Sequence, residues 1–241
     1  MKSRPALTTG SSYTEICQRL AGLTTPLICD ASPHIRLMDS AIVPIGEKNQ
    51  CIGRAYTVNS AQDSLSTMQA LDDLQAFLAF LNSDTDIAPT ILIIASCGAP
   101  HALAGGMCAA VAKHNGFGGI VTDGFCRDIK EIQASELPFF AKGKCARSGS
   151  KNRVGTIREK IECGGVAVNP GDIVFADIDG VVIMDKEEAV SAIEKGEEIQ
   201  MKEEIALQRI QDGARFNQIC NIDEHIENLR SGTSSKLRLT L

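Results

Sequence analysis

Several features that define large protein classes are missing from this sequence. No segment approaches the roughly 18 uninterrupted apolar residues of a membrane span, and the opening MKSRPALTTGSSYTEI has no apolar core resembling that of a secretory signal peptide. Lysine and arginine are scattered and form no basic stripe, and the net charge is −6. We therefore expect a cytoplasmic protein that binds neither membrane nor nucleic acid. A small anionic substrate would need a local cationic pocket.

The nine cysteines show no pattern of metal ligands or disulfide partners. Their number is odd, no C-x-x-C motif occurs, and several lie inside apolar segments. Cysteines with these features are usually small buried hydrophobic residues or free thiols in a reducing compartment. The sequence therefore predicts neither a zinc framework nor a disulfide framework.

The length and composition indicate one folding unit. Hydrophobic residues make up 44% of the 241 residues and charged residues 22%, and no stretch resembles a linker. We predict a single domain over residues 1–241, with a helix and loop segment at 1–50 and a polar tail from about residue 230. Strands are predicted at 53–60, 90–96, 118–123, 138–143 and within 165–184, and helices at 12–22, 65–81, 105–116 and 186–211.

A strand, a helix and a second strand follow one another between residues 90 and 123. Such units normally join parallel strands, whose carboxyl ends form one rim and often carry ligand sites. Gly105–Cys108 begins the helix at this rim, so its free N–H groups and the positive end of the helix dipole would suit a carboxylate. Close packing is the alternative role for these glycines, since no phosphate-loop pattern is present.

The motif DGFCRD at 123–128 places two carboxylates and a guanidinium within six residues, and Glu131 follows. We expect a sharp turn at Asp123–Gly124 to present them. Arg127 offers a planar fork for a carboxylate, and Asp128 offers the oxygen ligand that Mg²⁺ or Mn²⁺ prefers. From these residues alone, a surface ion-pair cluster at the start of a helix over 129–136 is the alternative.

The spacing of these residues resembles the signature of 4-hydroxy-4-methyl-2-oxoglutarate aldolases, which share a fold with the regulator of ribonuclease E activity A (RraA-like) family. Gly106 is separated by twenty residues from Arg127–Asp128, and Glu131 comes three positions after Asp128. The strand GGIVTDG and the segment NPGDIVFADIDGVVIM extend the resemblance over about residues 53–210. Fixed positions between the expected strand and turn make the match moderately specific.

The resemblance implies a fold and an assembly. The fold is α/β, a swivelling β/β/α-type single domain with a central mixed or parallel sheet, surrounding helices and a long C-terminal helix. The assembly is a homotrimer, or a homohexamer built as a dimer of trimers, with active sites between neighbouring subunits.

The resemblance also implies roles for the matching positions. Arg127 and the backbone of the helix start would hold the carboxylate of a pyruvate-like substrate, the latter at Gly105, Gly106, Met107 and Cys108. Asp128 would anchor Mg²⁺ or Mn²⁺, and no organic cofactor is implied. Glu131 would contact the ligands of the metal without binding the ion itself, or would orient a catalytic water. Glu203, on the C-terminal helix of a neighbouring subunit, is a further candidate.

The implied activity is a class II-type, metal-dependent carbon–carbon lyase. It would cleave 4-hydroxy-4-methyl-2-oxoglutarate or a related 4-hydroxy-2-oxo acid to pyruvate, and would decarboxylate oxaloacetate through the same enolate. The alternative is a non-catalytic regulator of ribonuclease activity that acts by binding a protein. Glu131 favours the enzyme, because the regulator type is expected to lack this acid. A phosphohistidine transfer domain using His101 is a third alternative.

One departure from the pattern of this family concerns the substrate. The loop at 142–154, KGKCARSGSKNRV, is unusually basic. It predicts either a solvated surface or an attraction for a polycarboxylate.

Overall fold

A ten-stranded mixed sheet forms the centre of the protein in a computed structural model, which describes residues 6–81, 86 and 88–240. The strands of this sheet are β1 (Arg36–Leu37), β2 (Val43–Pro44), β3 (Cys51–Asn59), β4 (Thr90–Ala95), β5 (Ala102–Ala104), β6 (Phe117–Cys126), β7 (Phe139–Lys144), β8 (Thr156–Ile157), β11 (Ile173–Ala176) and β12 (Val181–Met184). Strands β9 (Ile161–Cys163) and β10 (Val166–Val168) form a separate two-stranded hairpin. The helices are α1 (Tyr13–Leu20), α2 (Thr25–Ala31), α3 (Leu65–Leu71), α4 (Leu74–Phe80), α5 (Gly106–His114), α6 (Ile129–Ala134), α7 (Lys186–Gln211), α8 (Phe216–Ile219) and α9 (Ile222–Arg230).

The sheet has a parallel centre and antiparallel flanks. Its order is β1-β12-β11-β3-β4-β6-β7-β2, with β5 paired to β6 and β8 paired to β3. Strands β3, β4, β6 and β7 run parallel, as does β5 beside β6, and α5 connects β4 and β5 to β6. The predicted α/β fold with a central mixed sheet is therefore confirmed, as is the parallel pairing of the strands at 90–96 and 118–123.

Both faces of the parallel centre are covered. Helices α3, α4, α5 and α6 pack on one face, and the β9–β10 hairpin packs on the other. Helices α1, α2 and α7 cover the antiparallel flank at β11 and β12. The segment predicted as a strand at 53–60 alternates apolar and polar residues, a pattern typical of a half-buried strand. In the structure nearly all residues of β3 are buried, because it lies at the centre of the sheet.

The helix predicted over 65–81 is divided into α3 and α4. The break lies at Asp72–Asp73, where tertiary hydrogen bonds compete with the helix. The Asn115 amide donates to the Leu71 carbonyl at 2.8 Å, and the Tyr56 hydroxyl donates to the Asp73 carboxylate at 2.7 Å. The apolar periodicity is continuous across this point, so only the folded context places the break.

The prediction of a sharp turn at Asp123–Gly124 is wrong, because β6 continues to Cys126. The pairing of β6 with β7 shifts register between Thr122 and Phe125, so the strand is irregular there but continues. The Asp123 carboxylate accepts the backbone N–H groups of Ser96 at 2.6 Å and Gly164 at 3.1 Å. Asp123 thus joins the end of β4 to the β9–β10 hairpin, and it does not belong to the candidate site.

The long C-terminal helix was predicted with the correct bounds. A capping box of Asp185 and Glu188 begins α7, and Arg19 of α1 donates to Glu197 at 2.9 Å. Helices α8 and α9, which follow it, were not predicted. No helix in the described part of the chain has the length and apolar character needed to cross a membrane.

Replacing Asp123 with alanine is expected to lower the free energy of unfolding by about 2–4 kcal/mol, because two backbone donors lose their acceptor. Urea unfolding measures this loss. Asp179→Ala is the control, since Asp179 lies in an exposed turn and its carboxylate accepts no hydrogen bond within the described residues; its effect should stay within about 0.5 kcal/mol. Equal stability of the two variants would contradict the structural role of Asp123.

Candidate active site

The predicted site residues meet at the carboxyl end of the parallel strands. Strand β5 pairs with the last residues of β6, and the Arg127 N–H donates to the Ala104 carbonyl at 3.2 Å. This bond fixes Arg127 beside Gly105, which caps the N-terminus of α5. Arg127 and Asp128 follow β6 directly, and α6 begins next. The structure therefore brings the glycine pair, Arg127 and Asp128 together.

The two glycines let the first turn of α5 approach the start of α6. A Cβ atom added to Gly105 would lie 2.8 Å from Asp128 Oδ2 and 3.0 Å from Arg127 Cγ. One added to Gly106 would lie 2.3 Å from Glu131 Cβ and 3.3 Å from Asp128 Cβ. Close packing of the glycines and an anion-binding helix start are thus compatible, because the packing brings the charged residues to the helix end.

Asp128 has an unusual backbone conformation. It is in the left-handed region, with φ 58° and ψ 52°, at the N-cap position of α6. Aspartate tolerates this conformation better than most residues. Its Oδ2 lies 3.4 Å from Arg127 Nε, and the two side chains are 42% and 43% exposed. An ion pair this exposed contributes at most about 1 kcal/mol, so both groups remain able to bind a ligand.

The other predicted residues occupy the edges of this arrangement. Glu131 is exposed on the first turn of α6, with its Cβ against Gly106, and Met107 is also exposed. Burial raises the pKa of the Cys108 thiol to about 12 and that of Cys126 to about 11. These thiols therefore stay protonated near neutral pH, which argues against a nucleophilic role. Glu203 is exposed on α7 and does not line the cavity of its own chain.

A cavity of about 370 Å³ opens beside Arg127 and Asp128. It runs from the first turn of α5 along the space between α3 and α5, and β5 contributes residues along it. Its walls are formed by Ser64, Thr67, Met68, Leu71, Asp72, Ala102, Leu103, Ala104, Gly105, Met107, Cys108, Val111, Arg127, Asp128, Ser148 and Lys151. The cavity is large enough for a small organic acid.

The contribution of α3 to the cavity was missed from the sequence. Ser64, Thr67, Met68 and Leu71 line it, at positions i, i+3, i+4 and i+7, which share one face of a helix. In the sequence, Ser64 and Thr67 stand beside the apolar face of the predicted helix. The sheet that brings this face opposite α5 forms through contacts between residues distant in the sequence, and the periodicity of one helix does not specify those contacts.

The basic loop is fixed over the cavity by Asp63. Oδ2 of this buried carboxylate accepts the Ser150 hydroxyl at 3.1 Å and the N–H groups of Asn152 and Arg153 at 2.9 and 3.2 Å. Burial alone would raise the pKa of Asp63, but these bonds and one from Leu65 N–H outweigh it and lower the pKa to about 2. Most residues of this loop are exposed, as expected of a solvated surface, and Lys151 also lines the cavity.

The donor set suits a magnesium-like ion better than zinc. The described residues hold no group of three or more His, Cys, Asp or Glu side chains able to bind a metal. Structural and catalytic zinc sites use three or four such ligands. Mg²⁺ keeps several waters and needs only one or two carboxylates, which Asp128 can supply with its exposed side chain.

The chain is similar to known proteins. A family model described as RraA-like, aldolase/RraA, matches residues 25–183. A protein of Halalkalibacterium halodurans with the provisional name 4-hydroxy-4-methyl-2-oxoglutarate aldolase is 31% identical over 191 residues, covering 79% of this chain and 86% of that protein.

Two solved structures share the fold. One is an uncharacterized protein from Pseudomonas syringae, with a TM-score of 0.69 and 19% identity over 90% of this chain and 98% of that one. The other is Streptomyces coelicolor RraAS2, described as an unusual member of the RNase ES inhibitor RraA family, with a TM-score of 0.64 and 22% identity over 81% and 98%.

Gly106→Ala is expected to separate α5 from α6 and to lower the free energy of unfolding by about 1–3 kcal/mol, because the new Cβ meets Glu131 Cβ. Chemical denaturation measures this effect. Gly46→Ala is the matched control, since its Cβ would lie 3.8 Å from Gln133, an ordinary contact. A Gly106→Ala variant as stable as the control would show that α5 and α6 do not need this close approach.

The stability contributed by Asp63 should depend on pH. Its folded pKa of about 2 lies below the ordinary value of 3.8, so the contribution is present above about pH 4 and disappears as the pH falls through about 2. Unfolding of wild type and Asp63→Asn in urea between pH 7 and pH 2 should therefore give a stability difference that shrinks with acid. A difference that stays constant across this range would contradict the assignment.

Proposed function

The chain belongs to the RraA-like, aldolase/RraA family, and on this basis we propose that it is a divalent-metal-dependent lyase. It cleaves 4-hydroxy-4-methyl-2-oxoglutarate, or a related 4-hydroxy-2-oxo acid, and releases pyruvate. The observation that carries the proposal is the convergence of Arg127, Asp128 and the start of α5 on one end of a cavity of about 370 Å³.

Arg127 and the first turn of α5 bind the substrate carboxylate in this proposal. The unpaired N–H groups from Gly106 to Cys108 and the helix dipole favour an anion at this end of the helix. Arg127 adds a guanidinium fork suited to two carboxylate oxygens. The 2-oxo group of the bound acid is then directed toward Asp128.

Asp128, together with waters, would hold Mg²⁺ or Mn²⁺. When bound, such an ion supplies Lewis acidity to the 2-oxo group of the substrate. Glu131 lies one helical turn from Asp128 and is exposed, so it is placed to orient a water near the reacting atoms.

Cleavage then requires a proton transfer and the breaking of one bond. The 4-hydroxyl loses its proton to a water oriented by Glu131, and its oxygen forms the carbonyl of one keto acid as the C3–C4 bond breaks. The electron pair of that bond forms the enolate of pyruvate. Arg127 stabilises the negative charge that develops there. A proton delivered to C3 completes pyruvate. Oxaloacetate would lose CO₂ from C4 and give the same enolate, so decarboxylation is expected as a second activity.

We propose that the active protein is a homotrimer or a dimer of trimers. The C-terminal part of the chain exposes large apolar side chains, at Met201, Ile205, Leu207, Ile210, Phe216, Ile226, Leu229, Leu237 and Leu239. Exposed apolar groups at this density are typical of protein interfaces. Glu203 lies on the same stretch of α7, and in such an assembly it is the candidate contributed to a neighbouring site.

A non-catalytic regulator that binds a ribonuclease is the second candidate. The fold shared with a protein described as an RNase ES inhibitor family member supports it, as do the exposed apolar residues of the C-terminal helices. Glu131 and the cavity favour the enzyme, because docking onto a protein requires neither.

Asp128→Asn is expected to lower metal-dependent pyruvate release by at least about 100-fold, more than loss of an outer partner of a metal site usually costs. Asparagine also tolerates the left-handed conformation at this position, so the fold should persist. Pyruvate is measured with lactate dehydrogenase, from 4-hydroxy-4-methyl-2-oxoglutarate and separately from oxaloacetate, with Mg²⁺ and with chelator.

Asp179→Asn is the matched control, because it removes a carboxylate on an exposed turn outside the cavity. It should leave pyruvate release unchanged. Wild-type turnover no higher than that of buffer with metal, on both substrates, would overturn the proposal and favour the regulator.

A further inference from the structure

The cavity has two ends, which are set by the direction of α3 and α5. Strands β3, β4 and β6 are parallel, so the helices that connect them run side by side in the same direction. The Asn115 amide at the end of α5 donates to the carbonyl of Leu71, the last residue of α3, at 2.8 Å. One end of the cavity therefore lies at the starts of both helices, and the far end lies near Leu71 and Val111.

The cations lie at the end where the helices start. Among the described residues that line the cavity, the cations are Arg127 and Lys151. Arg127 lies beside Gly105, the N-cap of α5. The residues on both sides of Lys151 donate to the carboxylate of Asp63, at 3.1 and 2.9 Å, and α3 begins two residues after Asp63. The acid groups of a substrate therefore bind at this end.

The far end of the cavity is apolar and repels anions. Met68, Leu71 and Val111 line it. The charged group there is Asp72, which also lines the cavity and whose carboxylate accepts the Asn115 amide at 3.2 Å. A carboxylate without a cation beside it opposes the binding of a second anion. The far end therefore suits a neutral, apolar group.

One hydroxyl interrupts this apolar surface. Thr67 lies one helical turn before Leu71, lines the cavity and is 1% exposed. Its Oγ1 has no hydrogen-bond partner in the described part of the chain. A buried hydroxyl without a partner costs free energy, so its presence indicates a ligand with an oxygen that can pair with it.

The far end also lies beyond the atoms that react. The cavity is lined along α5 from Gly105 to Val111, a distance of roughly 9 Å at about 1.5 Å per residue. In an extended 2-oxo acid, C4 lies only about 4 Å from the carboxylate carbon, at about 1.5 Å per bond. Roughly 5 Å of the cavity therefore remain for a substituent on C4, which is enough for about four carbon atoms.

We propose that the protein also cleaves 4-hydroxy-2-oxo acids whose C4 carries a neutral alkyl chain. The far end of the cavity binds this chain, and Thr67 pairs with an oxygen on it. The inference rests on the proposed function, because Arg127 and Asp128 must first act on the 2-oxo acid.

The products of this cleavage are pyruvate and an aldehyde. The 4-hydroxyl loses its proton to water, and its oxygen becomes the aldehyde carbonyl as the C3–C4 bond breaks. The electron pair of that bond forms the pyruvate enolate, which takes a proton at C3. The reaction needs no oxidant, reductant or second substrate.

Two acids that differ only in chain length test the proposal. 4-Hydroxy-2-oxopentanoate carries a methyl group on C4 and releases acetaldehyde, and 4-hydroxy-2-oxooctanoate carries a butyl group and releases pentanal. With Mg²⁺, kcat/KM should be at least about tenfold higher for the octanoate, because each buried methylene contributes up to about fourfold. The aldehydes are measured as hydrazones by liquid chromatography.

A charge placed at the far end should remove this preference. Val111→Glu should reduce the ratio of the two kcat/KM values to less than about threefold, since the chain would meet a carboxylate. Ala110→Glu is the matched control, because Ala110 is the preceding residue of α5, is exposed and lies outside the cavity. It should keep the wild-type ratio. Equal ratios in the two variants would overturn the assignment of the far end.

Thr67→Val tests the hydroxyl separately. Valine has nearly the same shape, and the lost hydroxyl has no partner in the described protein, so the midpoint of thermal unfolding should stay the same or rise. The substrates are 4,8-dihydroxy-2-oxooctanoate and 4-hydroxy-2-oxononanoate, in which a methyl group replaces the terminal hydroxyl. The variant should lower kcat/KM for the first relative to the second by about fivefold. An unchanged ratio would overturn the part of Thr67.

The remaining outcomes separate this inference from the proposed function. If 4-hydroxy-4-methyl-2-oxoglutarate or oxaloacetate gives pyruvate while the octanoate is cleaved no faster than the pentanoate, the alkyl site is overturned and the lyase stands. If none of these acids is cleaved above the background of buffer with metal, the proposed function fails, and the inference fails with it.

Discussion

The close approach of α5 and α6 is the contact on which the candidate site depends. Gly105 and Gly106 have no Cβ, so the first turn of α5 lies directly against Asp128 and Glu131. The same contact places the N-terminus of α5 beside Arg127. One packing constraint therefore places a helix dipole, a guanidinium and a carboxylate at a single point. A side chain at either glycine would displace these groups relative to one another.

A second constraint fixes the opposite side of the cavity. Asp63 is fully buried, and its carboxylate is satisfied by donors from the basic loop and from the start of α3. A buried carboxylate is stable only when such donors compensate for its lost hydration. These hydrogen bonds hold the loop beside α3. One buried carboxylate thus contributes both to the stability of the fold and to the shape of the cavity.

The sequence predicted elements that depend on local signals and failed where distant contacts decide. The bounds of α7 follow from its capping residues and its polar surroundings, and β4 follows from a run of β-branched residues. The break at Asp72–Asp73 depends on Asn115 and Tyr56, which reach it from other elements. In the site, the spacing of Arg127 and Asp128 from the glycines carried the prediction. The sequence identified Lys151 only as part of a basic loop, because its position beside the cavity depends on the hydrogen bonds of Asp63.

Charge within the cavity matters more than the charge of the whole chain. The net charge of −6 opposes the approach of a dicarboxylate, yet salt screens that effect beyond about 8 Å at physiological ionic strength. Arg127 and Lys151 line the cavity and act inside this distance, where apolar walls reduce screening. Asp128 and Asp72 offset them, so the cavity attracts anions only where a cation is nearest.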